Sequence, residues 1–114
     1  MTNTNYYEAI ISNGGLTFSP MRPTPVSGYM VSVAGSERTF PLHSFSVSDL
    51  NKYMHEYLDR VVYESMFFGA WIDGDLVYLD LSVNIADRNA AVVLGRMESQ
   101  LAIYDVTNEK VISL

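Results

Sequence analysis

The chain has 114 residues, the size of one compact domain, and its 48% hydrophobic and 18% charged composition supports a packed core rather than disorder. With no cysteine, disulfides, thiolate nucleophiles and Cys-based zinc sites are excluded. A formal charge of −6 disfavours nucleic-acid backbones and anionic lipids, and the seven cations (Arg22, Arg38, Lys52, Arg60, Arg88, Arg96, Lys110) are too dispersed to form a basic stripe.

Met1 to Glu8 lacks the basic start and apolar run of an export signal, and no apolar stretch approaches the ~18 residues of a membrane span. The expectation is a single domain over residues 1–114, soluble and cytoplasmic. Tyr6 to Ile11 reads as a short β-type run, Asn13-Gly14-Gly15 as a turn, and Leu16-Thr17-Phe18 as a returning strand. This segment either joins the main sheet or swaps to a neighbour. Ser19 to Gly28 then places three prolines in six positions, which makes it loop or extended coil. Its Pro20-Met21-Arg22-Pro23 is a bare PxxP that reads as rigid loop rather than polyproline ligand.

Tyr29 to Val33 and Glu37 to Phe40 flank Ala34-Gly35-Ser36 as a second hairpin, with Tyr29, Val31, Val33 and Phe40 facing the core. Ser46 is the expected N-cap of a helix, with Asp49 three residues on in a weaker version of the capping box and Phe45 placed to staple onto Leu50. From there Val47, Leu50, Met54, Tyr57, Leu58, Val61 and Val62 recur at helical spacing. Two apolar runs, Met66 to Ile72 and Leu76 to Leu81, meet at Asp73-Gly74-Asp75. If Asp73 and Gly74 are the central residues of a type I′ turn, Ala70 faces Val77, Phe68 faces Leu79 and Met66 faces Leu81 on one apolar side. The other side sets Trp71 beside Leu76, Gly69 beside Tyr78 and Phe67 beside Asp80; it is half-solvated, covered by another element, or a contact surface. Asp87 caps a second helix with a stripe of Ala90, Val93, Leu94 and Met97, in which Gly95 implies a close approach to another backbone. Leu101 to Tyr104 and Lys110 to Ile112 close the chain as strands around Thr107-Asn108. The fold class expected is α+β in two layers, a mainly antiparallel sheet with two amphipathic helices on one face.

Chemical motifs are sparse. Neither His43 nor His55 has a neighbour at a metal-ligand interval, and His55 falls on the polar side of its helix. His43 with Ser44 and Ser46 holds a base and two hydroxyls near a helix start, but capping accounts for the serines and no Gly-x-Ser-x-Gly elbow accompanies them. Asp73, Asp75 and Asp80 lack the ligand pattern of a calcium loop, since Val77 and Leu79 stand where later ligands belong. No catalytic residue, cofactor or metal is expected. The surplus is aromatic: eight Tyr, five Phe and one Trp, residue types that serve cores and also binding surfaces. The candidate interaction surface is Phe67, Trp71, Leu76 and Tyr78.

Read in order, Phe68-Gly69-Ala70-Trp71, Val77-Tyr78-Leu79-Asp80, Leu94-Gly95-Arg96 and Gln100-Leu101-Ala102-Ile103-Tyr104-Asp105 resemble small, largely uncharacterised proteins of actinobacterial phages and mobile elements. The resemblance runs from about Gly28 to Ile112 and transfers no catalytic or binding residue. It implies an accessory protein that binds a host protein, including defence machinery. The function expected is therefore a non-enzymatic protein-interaction module, bound to a host protein or to a second copy, with no nucleic-acid or membrane partner. The alternative is a small-molecule-binding or hydrolytic domain built on the proline-rich loop and the His43 region.

Overall fold

The computed structural model describes residues 3–114; Met1 and Thr2, where the reading for an export signal begins, lie outside the described residues. In chain order the elements are α1 (Asn3–Asn13), β1 (Gly15–Phe18), β2 (Tyr29–Ser32), β3 (Arg38–Pro41), α2 (Val47–Tyr63), β4 (Phe67–Asp73), β5 (Leu76–Ile85), α3 (Arg88–Met97), β6 (Ala102–Asp105) and β7 (Lys110–Ser113). The strands form one antiparallel sheet in the order β1-β4-β5-β2-β6-β7, with β3 also paired to β5. The α+β class is as expected.

The first element is a helix where the sequence reads as a strand. Tyr6 and Ile10, four residues apart, are its buried positions, and Tyr6 stacks on Phe18 with ring centroids 4.2 Å apart. The β propensity of Tyr and Ile is a preference for packing surroundings, and here those surroundings are a helix face on the sheet. Gly14, at φ +76°, ends this helix in the left-handed conformation instead of reversing a hairpin. β1 then pairs in register with β4, Leu16 opposite Ala70 and Phe18 opposite Phe68, so it belongs to the chain's own sheet.

The second expected hairpin is absent. β2 and β3 lie end to end along the same edge of β5, Val31 opposite Val83 and Phe40 opposite Val77. Between them the chain bulges outward. Val33 N–H still donates to Leu81 O at 2.9 Å, and the Ser36 hydroxyl then accepts from Leu81 N–H at 3.0 Å and donates to Val33 O at 2.7 Å. A side chain thus fills the rung that the bulge vacates, which keeps a buried amide satisfied. Tyr53 of α2 braces the same loop, its hydroxyl donating to Ser36 O at 2.7 Å; burial, and then the nearby Asp80, push that hydroxyl's pKa well above the usual tyrosine value.

α2 begins as expected: the Ser46 hydroxyl accepts from Asp49 N–H at 3.2 Å, and Asp49 returns the bond to Ser46 N–H at 3.0 Å. Its C-terminal end is held by Arg22, whose Nη1 donates to Val61 O and Met66 O, both at 3.0 Å, while the guanidinium lies 5.7 Å from the Phe67 ring centroid.

The central hairpin turns one residue later than expected. Gly74 (φ +58°) and Asp75 are the loop, with Asp73 opposite Leu76, so every partner slides by two: Ala70 faces Leu79, Phe68 faces Leu81 and Trp71 faces Tyr78. Gly at the first loop position, with positive φ there alone, is the type II′ pattern rather than I′. A slide of two keeps each residue on its side of the ribbon. Met66, Phe68, Ala70, Val77, Leu79 and Leu81 are accordingly all buried in one core with α1 and α2.

α3 starts at Asp87, whose carboxylate accepts from Ala90 N–H at 2.8 Å. Its fully buried positions are Ala91 and Gly95; of the expected stripe only Leu94 packs on the core, half-buried, while Ala90, Val93 and Met97 are exposed. A Cβ on Gly95 would lie 2.6 Å from Leu114 Cδ1 and 2.9 Å from Ile103 Cγ2, so it is side chains, not another backbone, that this glycine admits. The small residues let the helix sit low over β2 and β6; Val92 and Leu94 pack half-buried at its flanks, and Val93 and Met97 face outward. Ile103, Val31, Val83 and Ile85 beneath α3 share the sheet face that packs against α1 and α2. Three helices, not two, therefore cover one side.

Candidate functional site

The alternation of strand side chains assigns the opposite side of the sheet to Thr17, Met30, Ser32, Phe67, Gly69, Trp71, Tyr78, Asp80, Ser82 and Tyr104. Among the described residues no helix lies over it. Trp71 is 49% exposed there and stacks on its direct cross-strand partner Tyr78, centroids 5.0 Å apart and planes at 26°. Leu76, beside the turn on the same side, is also exposed. Phe67 departs from the expected surface: it is 5% exposed, at the far end of β4 under Arg22, because the proline-rich segment wraps that end of the sheet.

A concavity of about 1040 Å³ opens on this side, with Gly15, Thr17, Gly69, Trp71, Asp80, Ser32, Met30 and Tyr104 in its lining. The bulge after β2 and the turn after α3 wall it, joined where Ala34 N–H donates to Glu98 Oε1 at 3.2 Å. Tyr78 is outside the lining and supports Trp71 from behind.

Asp80 is the chemical centre of this hollow. It stands opposite Gly69, and a Cβ on that glycine would collide with Asp80 Oδ1, so the carboxylate lies across the bare strand. Its Oδ2 accepts from the Ser32 hydroxyl at 2.8 Å. Burial pushes its carboxyl up to about 6; the Ser32 hydrogen bond opposes this and the charge of Glu37 adds to it. Glu37 and Glu98 stand on the rim, and the lining holds no Lys, Arg or His. The ion pairs found among the described residues, Arg38–Glu56 and Arg60–Glu64, leave all three acids out.

The residues of the alternative reading do not converge. The turn containing His43 follows β3 at the Asp73–Leu76 end, where Leu42 N–H donates to Asp75 O at 2.7 Å, whereas Arg22 of the proline segment bonds Met66 O at the start of β4. The seven residues of β4 put roughly 20 Å between those ends. Ser46 is committed to its capping box, and His43 and His55 are exposed. Among the described residues no group of three acid or histidine side chains is placed to hold a metal ion, and no helix is long and apolar enough to cross a membrane.

The fold and site define a two-layer α+β protein whose sheet has one helix-covered face and one over which, among the described residues, no helix lies. In comparisons with known proteins, no family model, no curated protein and no solved structure matches the chain.

Proposed function

We propose that this chain is a non-enzymatic protein-interaction module that docks its uncovered sheet face, centred on Trp71 and Tyr78, onto a host protein. The observation that carries this reading is the asymmetry of the sheet: three helices pack on one side, while the other leaves the sole tryptophan of the sequence half-exposed in a stacked aromatic pair beside a concavity. Trp and Tyr contribute disproportionately at protein interfaces because they bury large areas at low entropic cost. The Ser46 hydroxyl caps α2 and that of Ser44 donates to Pro41 O at the end of β3, which favours a structural role for the His43 region. The resemblance to phage and mobile-element proteins supports a host protein as partner, with defence machinery among the targets, and the cytoplasm of that host as the place of action.

The test is affinity capture from host lysate with the wild type, Trp71→Ala and Tyr78→Ala, alongside light scattering of each. The reading expects captured partner to fall at least about tenfold in both variants while circular dichroism is unchanged. A wild-type dimer that becomes monomeric in the variants would make the partner a second copy. Unchanged capture and unchanged mass in folded variants would refute the surface assignment.

A further inference from the structure

We infer that the concavity beside Trp71 receives a basic side chain, an arginine of the partner protein, with its guanidinium between the indole of Trp71 and the carboxylate of Asp80. This rests on the docking reading above and names the chemistry of the partner at its centre.

Charge complementarity selects the occupant. The chain carries −6, the hollow is lined by Asp80, Glu37 and Glu98, and no cationic side chain lines it. Geometry then narrows the choice to a planar cation. The Trp71–Tyr78 and Gly69–Asp80 pairs are successive rungs on one side of the β4–β5 ribbon, about 7 Å apart along the strands, and the Asp80 carboxylate lies over Gly69, two residues from Trp71 on the same strand. A guanidinium laid against an aromatic face can still donate in its plane to a carboxylate on the adjacent rung, which an ammonium, a point donor, does less well. Gly69 keeps the space above its strand open for Asp80, and Tyr78 occupies the rear of Trp71, leaving the indole to face the hollow. The floor also offers Ser82 and Tyr104 as polar groups, and Met30 as apolar lining for the methylenes of an arginine stem. Asp80 is a poorly solvated carboxylate with only a hydroxyl for company, and an incoming cation relieves that cost.

The sole tryptophan makes the test direct. The peptide Ac-Gly-Arg-Gly-NH2 is titrated into the full chain at pH 7.5 while Trp71 fluorescence is followed, and the same peptide with citrulline, the neutral isostere of arginine, serves as the comparison. The expected result is a saturable response to the arginine peptide, at least about tenfold weaker for citrulline and for Asp80→Asn. Equal responses to the two peptides, no saturable response, or an unchanged response in Asp80→Asn would overturn the inference; the peptide comparison needs no variant and decides it even if Asp80→Asn does not fold. Failure here with partner capture still lost in Trp71→Ala leaves the docking reading standing without the arginine. Discrimination between peptides with capture intact in Trp71→Ala sinks the docking reading, and the partner assignment with it.

Discussion

Replacing Asp80 by Asn should make the protein more stable at neutral pH and remove a pH dependence between about 3.8 and about 6. In the unfolded chain the carboxyl titrates at its ordinary 3.8, whereas burial in the sheet-face hollow holds it up to about 6. The folded state therefore binds more proton than the unfolded state across that window, so its stability falls as pH rises, is fully present below 3.8 and has lost the whole contribution above 6. At ~1.4 kcal/mol per pKa unit the loss comes to ~3 kcal/mol at most. Asn keeps a carbonyl acceptor for the Ser32 hydroxyl and never ionises, so it behaves at every pH much as protonated Asp80 does at low pH. Urea unfolding of both proteins from pH 3.5 to 8, followed by far-UV circular dichroism, gives the difference directly, and titrations shared by both cancel. The two curves should coincide near pH 3.5, diverge through pH 4 to 6, and run parallel above, with Asn ahead by ~2–3 kcal/mol. A constant offset, or a wild type that gains on the variant as pH rises, would refute the reasoning, because it would mean the carboxylate is well solvated or paired when the protein is folded.

Three further substitutions test the scaffold, each by urea unfolding at pH 7. Gly95→Ala should destabilise by ~1–2 kcal/mol although alanine is the better helix former, because its Cβ would press on Leu114 and Ile103; an increase in stability would show that α3 does not sit low on the sheet. Arg22→Ala should cost ~2–3 kcal/mol through the two carbonyl hydrogen bonds and the Phe67 contact, and a loss under ~0.5 kcal/mol would deny the clamp on α2. Ser36→Ala should cost ~1–3 kcal/mol by stranding the Leu81 amide, with faster hydrogen exchange at Leu81; unchanged exchange there would contradict the side-chain rung.

Local signals carried much of the fold. Ser46 and Asp49 announce the start of α2 because a capping box is complete within four residues, and Asp87 does the same for α3. The inner face of the β4–β5 ribbon was legible even though the turn is one residue later, since a two-residue slide preserves parity. What depends on distant contacts was hidden. Tyr6 to Ile11 has strand-like residues, and only the packing of Tyr6 on Phe18 and of Ile10 into the core makes it a helix. Nothing local marks Ser36 as a stand-in for a main-chain rung, because its partner lies 45 residues on. In α3 the large apolar residues suggest the buried stripe, yet the closest approach to the sheet is left to Ala91 and Gly95, with Leu94 half-buried beside them and Val93 and Met97 exposed. Within the site, Trp71, Leu76 and Tyr78 were identifiable from alternation alone, whereas Asp80 was not: its role comes from the bare strand at Gly69, the hydroxyl of Ser32, and two loops joined by Ala34 and Glu98.

The central claim is that the uncovered sheet face is the working surface. Partner capture by Trp71→Ala, set against Met97→Ser as a still more exposed apolar residue on the helical side, tests it most directly. The account predicts that Trp71→Ala loses the captured protein while Met97→Ser retains it; retention by Trp71→Ala with loss in Met97→Ser would contradict it.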